Sequence, residues 1–211
     1  MLFDVFPTIK YDGNYIRNIF IDVNSMYQEL VNGVTLTSYT IQEYPRPEVL
    51  SKKLYGSTQY EWTFLVINKI TDPYHGWLKT EDQVYETATL LYPVTNENPN
   101  GIDGIHHFID PDDNDYIYYD LVYFEGQVEI PPDPESEEPG QPFIAEGWYH
   151  KNDIEHNHLV VQANLVPITN IEYELEENEK KRHILIIPPA QISKFLDATH
   201  RLINERYNKK Y

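Results

Sequence analysis

Residues 110–121, Asp-Pro-Asp-Asp-Asn-Asp-Tyr-Ile-Tyr-Tyr-Asp-Leu, set Asp110, Asp112 and Asn114 at alternate positions, the spacing that opens a calcium-binding loop. The pattern breaks at its sixth position, where Asp115 stands in place of the glycine such a turn needs. It breaks again at the twelfth, where Leu121 replaces the bidentate glutamate. The stretch therefore reads as an acidic hairpin turn. His106, His107, His150, His156 and His158 between them could supply a three-imidazole metal site. No two of them lie four apart on a helical pattern, however, and the chain has no cysteine. They read as strand-edge side chains. No pair among the 34 Asp and Glu residues stands in a positioned motif for glycoside hydrolysis, and neither a G-x-S-x-G elbow nor a phosphate-cradling glycine loop occurs. The expectation is a protein without catalytic residues, metal or cofactor, and not an enzyme.

Composition points the same way. A chain of 211 residues can build a sizeable core, either as one large domain or as a small domain with extensions. The formal charge of −18 repels phosphate backbones and anionic lipid, which argues against nucleic-acid and membrane partners. No apolar run reaches the length of a membrane span, and the amino-terminal MLFDVFPTIKYDG lacks the basic start and long apolar stretch of a secretory signal. Synthesis in a cytoplasm is expected. Without cysteine, stability must come from packing or from partners. Eighteen tyrosines, each with an apolar face and a polar tip, suit contact surfaces.

The elements that would carry such surfaces can be placed along the chain. The opening reads as extended up to Asn24, and a short helix fits 26–32, with Ser25 and Gln28 as a capping box and Gly33 as its stop. TLTSYTIQ, 35–42, is a strand. Pro47 suits a first helical position and Gly56 a left-handed cap, so 47–55 is predicted as a helix. A second helix begins near Gln59 with almost no polar face, TDPYHGW is a turn, and Thr80 with Gln83 opens a third helix running to about Leu91. From Pro93 to about Leu165, GIHHFI, DYIYYDLVYF and HLVVQANLV read as hairpins. Residues 127–142, acidic and rich in proline, read as a mobile loop. NIEYELEENEKKR reads as a charged connector and HILIIPP as a buried strand. In the final helix Ile192, Phe195, Leu196, Thr199, Leu202, Ile203 and Tyr207 share one stripe.

The run SYTIQ, RPEVLSKKLYG, STQYEWTFLVINKI, TDP resembles the lysin motif, a small β-α-α-β module. Leu50, Leu54, Tyr55 and Gly56 match its first helix, and Trp62, Ile67, Asn68, Asp72 and Pro73 its second. Together with MLFDVFPTIKYDG and YELEENEKKRHILII, these blocks resemble the lysin-motif-containing baseplate wedge proteins of T-even-type contractile-tailed phages, over about half of the chain.

The resemblance implies an α+β fold: a lysin-motif-like β-α-α-β module, a long β-hairpin-rich insertion and a C-terminal amphipathic helix. The expected organisation is an arm over 1–34, the module with its third helix over 35–92, the insertion over 93–170, and a connector, returning strand and helix over 171–211. A lysin motif needs a second strand. The best candidate is 183–187, returning to pair near Tyr39–Gln42 across a long insertion, 79–182.

By resemblance the protein is a virion component, present in each of six wedges, that contacts other wedge proteins, bridges neighbouring wedges and helps close the ring around the hub. The suspected contact residues are Tyr44, Arg46, Tyr74, Trp77, Phe195 and Leu202, with Trp77 equally readable as packing over the helical pair. A conventional lysin motif binds N-acetylglucosamine chains, so peptidoglycan binding is the alternative function. Tyr44, Pro45 and Arg46 replace the small turn of glycan-binding versions.

Overall fold

The computed structural model describes residues 6, 8–18, 26–129, 142–144, 146–156 and 158–207. Helices and strands are mixed in an α+β arrangement. The order is β1 (Thr8–Tyr11), β2 (Asn14–Arg17), α1 (Tyr27–Leu30), β3 (Thr37–Thr40), α2 (Pro47–Tyr55), α3 (Trp62–Ile67), α4 (Pro73–Gly76) and α5 (Glu81–Leu91). There follow β4 (Ile105–Asp110), β5 (Tyr116–Tyr118), β6 (Leu121–Phe124), β7 (Gln127–Glu129), β8 (Pro142–Ile144), β9 (Gly147–His150), β10 (Leu159–Val161) and β11 (Val166–Thr169). The chain closes with α6 (Asn170–Lys180), β12 (His183–Ile186) and α7 (Ile192–Tyr207). Among the described residues no helix is long and apolar enough to cross a membrane.

Two compact units divide the chain: Met1–Glu81 with Glu177–Tyr211, and Asp82–Glu176. In the first, β12 runs antiparallel to β3 with His183 opposite Thr40 and Ile186 opposite Thr37, so strands separated by more than a hundred residues form one two-stranded sheet. The sequence predicts a returning strand over 183–187 against Tyr39–Gln42; the strand that forms, His183–Ile186, pairs two residues earlier in β3, with Thr37–Thr40. A two-stranded sheet is marginal alone, and helices cover it. Ile41, Leu50, Phe64, Trp77, Leu78, Ile184 and Ile186 form one core against it. A second core gathers Phe6, Met26, Leu30, Trp62, Val66, Ile67, Ile187, Ile192, Phe195 and Ile203. α3 contributes to both cores, which is why its sequence shows so little polar surface.

Both ends of α2 follow from local chemistry. Pro47 occupies the first turn, where its missing N–H costs nothing, and Gly56 caps the helix with φ +75°, its N–H donating to the Lys52 carbonyl. A Cβ at Gly56 would meet nothing within 4 Å, so the barrier to substitution there is conformational and not steric. Gly56→Val is expected to lower stability by about 1 kcal/mol or more, and Gly56→Asn by less. Equilibrium urea unfolding of the two variants checks both.

In the second unit two three-stranded antiparallel sheets, β11-β4-β5 and β10-β9-β6, share a core of Phe108, Leu121 and Leu165. Phe108 lies against Trp148, with ring centroids 4.6 Å apart. α5 and α6 meet through Val84, Ala88 and Ile171.

Several elements differ from the sequence reading. The second helix opens as a 3-10 turn, Thr58–Tyr60, with Ser57 accepting from the Gln59 N–H, before α3 begins. The turn at TDPYHGW contains α4, whose first N–H groups are held by Asp72. DYIYYDLVYF splits into β5 and β6 at Asp120, where φ is +57°. HLVVQANLV likewise divides into β10 and the start of β11. Gln127–Glu129 and Pro142–Ile144, the ends of the predicted mobile loop, pair as strands. Residues 130–141 lie outside the described residues, as do Ser25 and its predicted capping box.

The largest difference is the expected charged connector, which is the helix α6. A reciprocal capping box opens it: Thr169 Oγ1 accepts from the Glu172 N–H, and the Glu172 carboxylate accepts from the Thr169 N–H at 2.8 Å. Ile171 and Asn178 then turn inward, while Glu172, Glu176 and Glu179 stay exposed.

Candidate interaction surface

Two loops of the first unit carry the residues singled out for contact, and both are fixed from beneath. The loop 41–46 is held by Arg182. Its Nε and Nη2 donate to the two Glu179 oxygens, both at 2.7 Å, while Nη1 donates to the carbonyls of Ile41 and Glu43, both at 3.0 Å. The guanidinium plane lies 5.0 Å from the Tyr44 ring. Glu43 takes a left-handed φ of +59°, and its carbonyl is one of the two that Arg182 binds. The bidentate pair uses the planar fork that a lysine lacks.

The second loop, 72–77, is ordered by Asp72. One of its oxygens caps α4 at the Tyr74 and His75 N–H groups, and the other sits 2.6 Å from His75 Nδ1. Trp77 ties the loops together, because its indole N–H donates to the Pro45 carbonyl at 2.9 Å while the ring fills the core beside Phe64. Lys181 donates to the His75 carbonyl at 2.7 Å from the other side.

Tyr44, Arg46 and Tyr74 are thus presented at the surface by a braced pair of loops. Tyr74 is 71 % exposed, with the Lys79 ammonium 4.6 Å from its ring. Two of the suspected contact residues are buried in this chain, Trp77 in keeping with the packing role it was equally open to. Trp77 is 6 % exposed and Phe195 fully buried, so both serve the interior of this chain, and Leu202 is partly buried against the same core as Phe195. The apolar stripe of α7 packs on Trp62 and its neighbours, and Phe195 lies 5.9 Å from the Trp62 ring.

The residues matched to the lysin motif also sit in these cores. Leu50, Trp62 and Ile67 are buried, and Leu54 and Tyr55 partly so. Tyr55 donates to the Ile187 carbonyl, and burial pushes its hydroxyl pKa up to about 12.

Asn68 and Asn178 have roles that sequence reasoning missed. Asn68 accepts from the Leu185 N–H at 2.8 Å and donates to the Leu185 and Phe64 carbonyls, so it occupies the outer edge of β12 as a neighbouring strand would. Asn178 makes the same two-way amide contact with the backbone of Lys79. The lysin-motif spacing singled out Asn68 without assigning it a function. Nothing in the charged run around Asn178 and Arg182 distinguishes them.

Among the described residues no group of three His, Asp or Glu side chains converges to hold a metal. His106 stacks on Tyr173 at 3.9 Å and His156 on Phe124 at 4.0 Å. Asp110 accepts from the Asp112 N–H and so shapes the β4–β5 turn.

Three carboxylates sit below their ordinary values of 3.8 for Asp and 4.5 for Glu. Glu179 is lowered by Arg182, Glu172 by the Thr169 backbone N–H, and Asp72 by the His75 side chain. A carboxyl lowered in the folded state contributes stability above its unfolded value and loses it as pH falls through the folded one. Stability is therefore expected to drop as pH falls below the ordinary carboxylate range, and Glu179→Gln to shrink that drop. Urea midpoints for both proteins between pH 7 and pH 3 check this.

The sequence family Base plate wedge protein 53 matches residues 1–202 of this chain. The chain is also 26 % identical over 216 residues to the baseplate wedge protein gp53 of Enterobacteria phage T4, with 98 % of each protein covered. With a match that spans both units and nearly every described element, the chain belongs to the Base plate wedge protein 53 family.

Proposed function

We propose that this virion baseplate protein joins neighbouring wedges and helps close the baseplate ring around its hub, using the braced loop pair that presents Tyr44, Arg46 and Tyr74. The family match over residues 1–202 carries the reading. The geometry supports it: the exposed part of the loop pair combines tyrosine and arginine, residue types enriched at protein interfaces. Its bracing by Arg182 and Trp77 means little ordering entropy is lost on contact. β3, α2 and α3 follow one another and β12 returns after a long intervening segment to pair with β3. This arrangement is compatible with a β-α-α-β lysin-motif order interrupted by an insertion, and the unit serves as an assembly module in six copies per baseplate. Peptidoglycan binding is disfavoured by the bulky Tyr44–Pro47 segment in the first loop.

The test is an infection lacking this chain. Wedges should accumulate unjoined. Wild-type protein supplied in trans should restore rings, whereas Y44S/R46E/Y74S, folded by circular dichroism, should not. Complete rings formed without the chain would refute the proposal. Saturable micromolar binding of the purified protein to chitin oligomers would instead favour the glycan reading.

A further inference from the structure

The two units differ sharply in charge. Of the 34 acidic residues, 21 lie within Asp82–Glu176 together with a single basic residue, Lys151, giving that unit a formal charge of −20. The other unit holds 13 acidic and 15 basic residues, a formal +2. The family match explains neither the segregation nor its location.

Within the acidic unit the sheet β11-β4-β5 buries one face and leaves an apolar row on the other. Phe108, opposite Tyr118 and Pro167, points into the core with Trp148. The next row alternates to the opposite face: Val166, Ile109 and Ile117 lie directly across from one another on three adjacent strands. Val166 is 46 % and Ile117 45 % exposed, and Ile109 between them is partly exposed. Three β-branched aliphatic side chains in line have no solvation role, and among the described residues they remain open to water, Ile109 in part. Asp112, Asp113 and Asp115, all exposed, stand on the turn joining β4 to β5, just beyond Ile109 and Ile117 along those strands. From Ile105 to Gly126 the chain carries six carboxylates and no Lys or Arg.

We infer that this face is a docking surface for a basic segment of another baseplate protein, with Val166, Ile109 and Ile117 supplying the apolar contact and the turn carboxylates the steering charge. Charge complementarity selects a basic partner. A second copy of this chain is disfavoured, because two molecules of net charge −18 repel. The inference concerns a different unit from the Tyr44–Tyr74 surface and does not depend on that surface joining wedges.

The test uses full-length labelled protein titrated against wedges isolated from an infection lacking this chain, at 50 and 200 mM salt. Wild type should bind, weakening about tenfold or more with salt, as exposed charges become screened. I117S/V166S should bind about tenfold more weakly. D112N/D113N/D115N, which alters only exposed turn residues and leaves the core intact, should bind more weakly with a flatter salt dependence. L90S, at an 83 % exposed position of α5, is the control and should bind as wild type. Wild-type affinity and salt slope in both the aliphatic and the carboxylate variants would overturn the inference. So would loss of concentration-dependent self-association in those variants, since the occupant would then be a second copy. Y44S/R46E/Y74S separates the two proposals: normal binding there with loss in I117S/V166S leaves this surface standing while the loop-pair reading fails.

Discussion

Truncation after Lys181 is expected to abolish the cooperative unfolding transition of the first unit. The deletion removes β12 and α7, and with them Ile184, Ile186, Ile187, Ile192, Phe195 and Ile203, all buried. At about 1.5–3 kcal/mol for each fully buried side chain, the loss is about 9–18 kcal/mol gross. That matches or exceeds the 5–15 kcal/mol by which a typical domain is stable. It also strips β3 of its strand partner among the described residues and leaves Asn68 without the Leu185 backbone. Trp62 and Trp77 report on this unit, so their emission should shift to that of exposed indole, whereas Trp148 lies in the other unit. A truncated chain that kept Trp62 buried through a cooperative transition would contradict the pairing of β3 with β12.

Phe195→Ala should be the most costly single substitution considered for this chain. The ring is fully buried, packs against Trp62 at 5.9 Å, and sits among Met26, Leu30 and Ile203, all at zero exposure. Loss of transfer energy plus an unfilled cavity makes about 3–5 kcal/mol the expected cost. Leu202→Ala, removing a partly buried side chain from the same cluster, should cost clearly less. Urea midpoints at constant m-value rank the two. A near-neutral Phe195→Ala would mean that the α7 stripe is packed by a partner and not by this chain.

The features legible in the sequence were those signalled locally. Pro47 and Gly56 bracket α2, and Asp72 with Pro73 opens α4. α6 escaped because its inward residues are few and one of them, Asn178, is polar, so carboxylates dominate any periodicity. The Thr169–Glu172 capping box was the available signal. The division of β5 from β6 rests on one left-handed residue, Asp120, which no hydrophobic pattern marks. At the candidate surface Tyr44, Arg46 and Tyr74 are exposed where their loops suggested. Trp77, equally readable as packing, and Phe195 are both buried, and the sequence alone does not separate the two roles because an aromatic side chain reads alike in a core and at an interface. Arg182, which braces the first loop, sits in a run of charged residues where nothing local separates a structural guanidinium from a solvated one.

The most direct test of the role in joining wedges is a density map of the intact baseplate. Each copy of the chain is expected to touch two neighbouring wedges, with Tyr44, Arg46 and Tyr74 buried in one of those contacts. A map in which every copy lies within a single wedge, with the loop pair facing solvent, would contradict it.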